Sequence, residues 1–270
     1  GKIYLRVASR GKGMAKERLG YPMGSFGEVF DVLGERVSQQ GGDVHLSAGV
    51  NRVLVEDNNA TGLEVQLSDG EAEPRNYDAI IATTPSYIFT HLVLDLPDDY
   101  HDKLVNVQYL SAVLVILILD RPLTDKYWIS IADHDLPFVG IIEHTNMIDR
   151  SLYGGHHIVY LTNYPDRDSE LYQKSAEELV SEFTPHLCQL NPDFDPSWIL
   201  EYHHHKVDGA QPIIGINYSQ RIPDHRTPIK NLYLANTTQI YPEDRGTNYS
   251  VRMGRQVATM VLEDAGEPVD

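Results

Sequence analysis

Cysteine is almost absent from this sequence. Cys188 is the single cysteine among 270 residues, so no disulfide can form within the chain. Because chains without disulfides are typical of reducing compartments, we expect a cytoplasmic protein. The preceding residues, Pro185, His186 and Leu187, are more typical of packing than of an activated thiol, which argues against cysteine catalysis.

Long apolar runs and positive charge are scarce as well. The longest apolar run, at residues 112–119, has eight residues, whereas a membrane-spanning helix needs roughly 20. With 39 acidic and 22 basic residues the formal net charge is −17, which disfavours nucleic acid and anionic membranes as partners. The remaining composition, 41% hydrophobic and 23% charged, predicts a folded globular chain without an integral membrane segment.

Patterns near the start of the chain predict α/β structure. Ser25 and Glu28 form the S-x-x-E pattern of a capping box, and apolar residues follow at helical spacing until two glycines at 41 and 42. Short strands are predicted at 44–46, 50–55 and 62–67. The segment 77–85 contains a continuous apolar run, which predicts a parallel strand covered on both faces. It ends in Thr84 and Pro85.

The middle of the chain predicts a mixed or antiparallel sheet with few helices. Its strands are predicted at residues 109–119, 127–132, 139–143, 157–163 and 198–206. One helix is predicted from Ser175, which forms a second capping box with Glu178, and Pro185 should end it.

The last part of the chain returns to α/β character, with a strand at 231–236 and a helix from about 249 to 263 capped by Thr247 or Asn248. The first turn of a helix exposes N–H groups and a partial positive charge, which suit a phosphate or an electron-rich ring edge; an ordinary strand-to-helix connection is the alternative. Ser250, Gly254 and Ala258 share one face, and we expect close packing there because Gly254 costs about 1 kcal/mol relative to alanine.

The order and spacing of these elements resemble the FAD-dependent amine oxidase superfamily, which includes protoporphyrinogen oxidases and phytoene desaturases. The resemblance covers nearly the whole chain. It rests on residues 19–25, the helix that follows them, the segments 44–46, 50–53, 78–85 and 231–235, and the closing helix.

The resemblance implies cofactor contacts for particular residues. Backbone groups of Val50 would lie beside the adenine, and Thr84 and Pro85 would lie near the adenosine half of FAD. The family usually has Gly-Asp after the last strand, where the aspartate contacts the phosphate or ribityl region. This chain has Asn236-Thr237 instead, which we expect to retain hydrogen bonding there.

The closing helix has an implied cofactor role too. Its start, at Thr247, Asn248 and Tyr249, would approach the pyrimidine edge of the isoalloxazine, where the helix dipole would stabilise charge formed on reduction. The family's pyrophosphate-binding G-x-G-x-x-G turn is not found in the sequence; Gly11-Lys12-Gly13 lacks the third glycine and is interpreted as a basic loop. We therefore expect the C-terminal part of a longer flavoprotein, with little or no FAD bound by this part and no activity alone.

The sequence thus predicts an α/β fold with α+β character. Residues 1–86 and 208–270 would form parts of a Rossmann-like FAD-binding domain, interleaved with a substrate domain at 87–207 that has a mixed or antiparallel sheet. The implied activity is hydride removal from a C–N or C–C bond of a small molecule, and no catalytic acid or base is assigned. The alternatives are a non-redox flavoenzyme of the nucleotide-sugar mutase type and a non-enzymatic binding domain.

Histidines cluster in the predicted substrate domain. His203 and His205 share one face of a predicted strand, and with His156 or His157 and a carboxylate they would suit a metal ion. The favoured interpretation is that they line or cover a polar pocket, because no second cluster has metal-ligand spacing. We therefore expect no metal site.

Overall fold

The structure is a computed structural model that describes residues 20–67, 70–243 and 245–269. The predicted basic loop at Gly11-Lys12-Gly13 lies outside the described residues. Among the described residues, no helix combines the length and the apolar character needed to cross a bilayer.

The chain divides into two compact units. Unit 1 combines the part of the chain up to Gln108 with the part from Ile214 onward, and unit 2 consists of Tyr109–Ile213. Unit 2 is therefore inserted in the sequence of unit 1. The assignment of a cofactor domain and a substrate domain with borders after residues 86 and 207 stays a prediction.

The α-helices and strands follow one another in mixed order. The helices are α1 (Ser25–Gln39), α2 (Ser86–Leu92), α3 (Asp98–Val105), α4 (Glu170–Gln173), α5 (Ala176–Phe183) and α6 (Thr247–Ala265). The strands are β1 (Gly49–Glu56), β2 (Asn59–Gln66), β3 (Glu73–Asn76), β4 (Ile80–Ala82), β5 (Tyr109–Leu119), β6 (Trp128–Ser130), β7 (Gly140–Glu143), β8 (His157–Asn163), β9 (Ile199–Pro212) and β10 (Leu232–Leu234).

The described residues of unit 1 form two separate sheets. Strands β1, β2 and β3 form an antiparallel meander, and the tight turn between β1 and β2 uses Asp57 and Asn58 at φ of 48° and 60°. Asparagine and aspartate tolerate this left-handed backbone better than most residues do. Strands β4 and β10 pair in parallel, with Ile80 opposite Leu232 and Ala82 opposite Leu234. The parallel pairing predicted for the run 77–85 is therefore confirmed.

Apolar side chains from distant parts of the sequence form the core of unit 1. Phe89 of α2, Leu104 of α3, and Leu232 and Leu234 of β10 are buried in a single cluster. Helix α1 does not contribute to this core, since none of its residues is buried and Phe30 is 60% exposed. Its apolar stripe therefore faces outward within the part of the chain that the structure describes.

Unit 2 is built on one antiparallel sheet in the order β6-β7-β8-β5-β9. Alternate residues of β5 are buried, including Leu117 and Leu119, and they pack in one cluster with Leu179 and Phe183 of α5. The capping box of α5 forms as predicted, with the Ser175 hydroxyl accepting the Glu178 N–H and the Glu178 carboxylate accepting the Ser175 N–H. The inner strand β5 and its covering helix α5 thus share one hydrophobic core.

Two details near the start of the described chain differ from prediction. The capping box at Ser25 does not form, because Ser25 has a left-handed φ of 83° and its hydroxyl accepts the nearby Gly27 N–H. Helix α1 begins there behind Gly24, without a side-chain cap. The strand predicted at 44–46 is also wrong: the segment has no strand partner, and Leu46 is 84% exposed.

Candidate functional site

The ends of β4 and β10 form the candidate site in unit 1. Because the strands are parallel, their carboxyl ends meet at one edge of the sheet, the edge that binds ligands in open α/β sheets. The Ala235 N–H donates to the Ala82 carbonyl at 2.9 Å and extends the pairing past the regular strands. Two predicted cofactor-binding pairs, Thr84-Pro85 and Asn236-Thr237, directly follow these strands.

Asn236 ties the two strand ends together. Its side-chain amide donates to the Thr84 carbonyl at 3.0 Å and to the Ser86 hydroxyl at 3.2 Å. Its side-chain oxygen accepts the Thr238 N–H at 3.0 Å and the Thr238 hydroxyl at 2.6 Å. Asn236 is 4% exposed, so its polar groups serve the protein's own backbone and hydroxyls at this edge. Thr237, by contrast, is exposed at the start of a short 3₁₀ helix.

A neutral amide is required at position 236. An aspartate there would have no N–H to donate to the Thr84 carbonyl and the Ser86 hydroxyl, and its charge would face a carbonyl oxygen. Glycine, which the family usually has at this position, would make none of these side-chain hydrogen bonds.

Thr84 provides a hydrogen-bonding group that the protein itself does not use. Its side-chain oxygen is buried and has no hydrogen-bond partner among the described residues. A buried hydroxyl without a partner costs about 1–3 kcal/mol. A polar ligand group at this edge of the sheet would satisfy it, which fits a cofactor hydroxyl or phosphate oxygen.

Pro85 has little hydrogen-bonding capacity left. It lacks an N–H, and its carbonyl accepts the N–H groups of Ile88 and Phe89 at the start of α2. Pro85 can therefore offer a ligand mainly the apolar surface of its ring. It also fixes the direction in which α2 leaves the strand end.

Val50 lies in the other sheet of unit 1. It is in β1 opposite Val65, and its side chain is partly exposed. Strand β1 packs against α2, the helix that begins directly after Pro85. The fold therefore connects the elements of Val50 and Thr84 through α2, and the role of Val50 beside an adenine stays a prediction.

Helix α6 begins without any side-chain cap. Its N-cap is Gly246, so the predicted cap at Thr247 or Asn248 is wrong; both residues lie inside the first turn and are exposed. The Gly246 carbonyl accepts the Tyr249 N–H at 3.0 Å and the Ser250 N–H at 3.2 Å. Because glycine has no side chain, the N-cap residue cannot offer the oxygen that usually satisfies first-turn N–H groups.

The predicted close packing along α6 is not present among the described residues. Ser250, Gly254 and Ala258 are exposed, and a Cβ added to Gly254 would have no atom within 4 Å. The adjoining face, with Met253 and Val257, packs in a cluster with Tyr233 and Ala235 instead. The hydrophobic face of α6 therefore determines how it docks on β10, and the small residues beside it stay exposed.

Aromatic residues surround the loop before α6, and sequence reasoning missed two of them, Tyr218 and Tyr241. The rings of Tyr218 and Tyr241 are 5.5 Å apart, and the buried Tyr218 hydroxyl donates to the Thr238 carbonyl at 2.7 Å. The Arg252 guanidinium lies 4.8 Å from the Tyr249 ring centre and donates to Glu243 at 2.7 Å, which lowers the pKa of Glu243. The tyrosines in the polar stretch before α6 were the available signal.

The predicted histidine cluster does not form a metal centre in the described part of the chain, where no group of three or more His, Cys, Asp or Glu has suitable geometry. His203 and His205 do share a face of β9; both are exposed, and His203 lies 3.2 Å from Glu201. His204 faces the opposite way, and burial lowers its pKa.

Unit 2 has a cleft of its own with the dimensions of a small-molecule site. Its volume is about 360 Å³, and its lining includes His134, Leu136, Phe138, Asn163 and Leu171. Ligand pockets commonly combine mostly apolar walls with a few polar groups, as this one does. It is a candidate substrate pocket within unit 2.

Comparisons with known proteins identify the family and the fold of the chain. A model of the family described as flavin containing amine oxidoreductase matches residues 14–262. The chain therefore belongs to the flavin-containing amine oxidoreductase family, whose members use a flavin cofactor. A search of curated proteins found no matching relative.

Solved structures show the same fold. An oxidoreductase from Methanosarcina mazei has a TM-score of 0.65 and 18% identity, over 87% of this chain and 55% of its own. A reduced UDP-galactopyranose mutase has a TM-score of 0.69 and 14% identity, over 93% of this chain and 54% of its own. A triple mutant of putrescine oxidase has a TM-score of 0.69 and 17% identity, over 89% of this chain and 53% of its own. The chain thus spans about half the length of each of these proteins.

Proposed function

We propose that this chain supplies one wall of the FAD site and a substrate-binding unit of a flavin-dependent oxidoreductase. The family match supports the class of enzyme. The observation that carries the site is the buried, unpartnered hydroxyl of Thr84 at the carboxyl edge of two parallel strands. A cofactor there would satisfy a group that otherwise destabilises the chain.

The residues of the strand ends and of α6 have distinct parts in this proposal. Bound FAD would supply the redox chemistry by accepting a hydride from a C–N or C–C bond of the substrate. Thr84 would donate or accept a hydrogen bond, and Pro85 would present an apolar surface. The exposed start of α6 at Thr247, Asn248 and Tyr249 would favour negative charge close to it. Asn236 would hold Thr84 in place.

We further propose that the chain alone retains little FAD and is inactive. The pyrophosphate-binding G-x-G-x-x-G turn of the family is not in its 270 residues, and the chain covers only 55% and 54% of two similar solved structures. The substrate would be a small molecule bound by unit 2, for which the cleft beside Phe138 is the available candidate. A cytoplasmic location is proposed because the single cysteine is free and exposed.

The spectrum of the polypeptide purified from its natural source tests the flavin proposal. We expect absorption bands of an oxidised flavin, lost under anaerobic conditions when an oxidisable amine or a substrate with an oxidisable C–C bond is added. A colourless polypeptide whose melting temperature does not change on addition of FAD would contradict the proposal. A stoichiometric, tightly bound flavin in the 270-residue chain alone would overturn the proposal that this chain retains little FAD by itself.

A non-redox flavoenzyme of the nucleotide-sugar mutase type is the second candidate. It is favoured by the likeness to a UDP-galactopyranose mutase, whose fold matches 93% of this chain, and by the neutral Asn236 at the strand end. Turnover of a nucleotide sugar without net consumption of an oxidant would distinguish it from the oxidoreductase.

A purely metal-binding role is tested by metal content before and after a paired His203→Ala and His205→Ala substitution.

A further inference from the structure

The connection between β7 and β8, residues 144–156, is held at one short turn by two histidines. This turn is the 3₁₀ helix Arg150–Tyr153. His144, which follows β7, has its Nε2 2.7 Å from the Tyr153 hydroxyl. His157, which begins β8, has its Nε2 3.2 Å from Nη1 of Arg150. Both histidines are largely buried. The turn is therefore contacted by one buried histidine from each end of the connection.

The two contacts differ in how they respond to a proton. A tyrosine hydroxyl can donate or accept, so the contact of His144 with Tyr153 is compatible with either state of the imidazole. A guanidinium has only donors, so Arg150 can bond to Nε2 of His157 only if that nitrogen is unprotonated. The structure therefore assigns a neutral His157 whose remaining proton is on Nδ1.

The surroundings of Nδ1 agree with this tautomer. The closest charged atom is Oε1 of Glu143 at 3.6 Å, and Nδ1 has no hydrogen-bond partner within the described residues. Glu143 has no exposed surface, and its carboxylate accepts the N–H groups of Leu123 at 3.2 Å and Thr124 at 2.6 Å. A proton on Nδ1 thus faces a fixed carboxylate, while the lone pair on Nε2 faces the guanidinium.

We propose that the contact between Arg150 and His157 is a proton-sensitive latch, in which a proton taken up from solvent on Nε2 of His157 displaces the Arg150 guanidinium and releases the turn at residues 150–156. Two donors cannot share the bond, and two adjacent positive charges repel. Arg150 is exposed and can move into solvent. The latch concerns unit 2 alone and does not depend on the proposed flavin chemistry.

The charged groups around His157 set the range in which the latch opens. Burial, the positive charge of Arg150 and the neighbouring His156 lower the pKa of His157, whereas the negative charge of Asp120 raises it. Glu143 lies on the Nδ1 side, and burial raises the pKa of Glu143. Together these effects lower the pKa of His157. The latch is therefore closed at neutral pH and opens on acidification below the ordinary histidine range.

Amide hydrogen exchange at two pH values tests the latch in the full chain. After correction for the intrinsic pH dependence of exchange, residues 150–156 should lose protection severalfold between about pH 7.5 and about pH 4.5, a range that extends below ordinary histidine titration because the pKa of His157 is lowered. The inner strand β5 should keep its protection. His157→Gln should abolish the loss, because a glutamine can accept from Arg150 and donate towards Glu143 at both pH values. The matched control is His134→Gln, an exposed histidine of unit 2, which should behave as the wild type.

A second measurement applies even if His157→Gln fails to fold. The NMR titration of His157 should shift to higher pH in Arg150→Met, because the substitution removes the adjacent positive charge at an exposed position. Equal loss of protection in the wild type and in His157→Gln would overturn the proposal. So would a wild type whose turn keeps its protection at acidic pH, or a titration of His157 that Arg150→Met leaves unchanged.

Discussion

The side-chain amide of Asn236 donates to the backbone carbonyl of Thr84 at 3.0 Å and joins the ends of two parallel strands that are far apart in sequence. The same amide reaches Ser86, and the other end of the side chain holds Thr238. The bond fixes the position of the backbone at Thr84, whose hydroxyl is the ligand-binding group in our proposal.

Replacement of Asn236 by aspartate should destabilise unit 1. Asn236→Asp removes two donors and places a charge beside the Thr84 carbonyl, for which we expect a loss of about 1–3 kcal/mol in the free energy of unfolding. Urea denaturation at neutral pH measures it. Thr237→Asp is the matched control, since Thr237 is exposed and the change should stay within about 0.5 kcal/mol. Equal losses for both variants would contradict the role given to Asn236.

Substitution of Thr84 by valine should separate stability from cofactor binding. Because the Thr84 hydroxyl is buried without a partner, Thr84→Val should leave the stability of the chain unchanged or raise it by up to about 1 kcal/mol. In the polypeptide from the natural source, the same change should weaken FAD binding by roughly two- to tenfold, the loss of one hydrogen bond.

The buried hydroxyl of Thr238 supplies the control for that experiment. It donates to Asn236 at 2.6 Å, so Thr238→Val should cost about 0.5–1.5 kcal/mol of stability. Denaturation curves and FAD titrations on both variants distinguish the two hydroxyls. If Thr84→Val destabilises the chain as much as Thr238→Val, the Thr84 hydroxyl has a partner that the structure does not show.

Local patterns predicted much of the fold because neighbouring residues determine them. The alternation along β5, the apolar run that forms β4 and the capping box of Ser175 each depend on residues a few positions apart. Ser25 has the same S-x-x-E pattern as Ser175, yet its backbone is left-handed and no capping box forms. A pattern that is correct in one helix therefore fails in another when the preceding chain enters at a different angle.

The contacts that define the candidate site could not be read from the sequence. Asn236 and Thr84 are 152 positions apart, and only the pairing of β4 with β10 brings them together. The tautomer of His157 likewise depends on where Arg150 and Glu143 lie in three dimensions. The resemblance to a family indicated the region, and the hydrogen-bond geometry showed which groups remain available to a ligand.

The stability of the chain should decrease in mild acid. Burial lowers the pKa values of His144, His157 and His204. Between the lowered folded values and the unfolded value of about 6.5, the unfolded chain binds more protons than the folded one. The stabilisation is therefore fully present above about pH 6.5 and is lost as the pH falls through this window towards the folded values.

Glu143 has the opposite effect on the pH dependence of stability. Burial raises its pKa, so its contribution to stability decreases as the pH rises through the window above its ordinary value. With three histidines against one carboxyl, we expect the free energy of unfolding to fall between about pH 7.5 and about pH 5.5. His204→Gln should reduce this decrease in the free energy of unfolding with falling pH. His134→Gln, which replaces an exposed histidine, is the control. A slope that stays the same in His204→Gln would contradict the assignment of His204 to this effect.

Two apolar side chains with opposite environments should respond very differently to truncation. Leu117 is fully buried in strand β5 of unit 2, and Phe30 is 60% exposed on α1. Leu117→Ala removes contacts in a packed core and should cost about 2–5 kcal/mol. Phe30→Ala should change the stability of this chain by about 0.5 kcal/mol or less, because a surface side chain loses little when it is truncated. Calorimetric unfolding of both variants is the measurement. A large loss in Phe30→Ala would contradict the exposed position of this side chain.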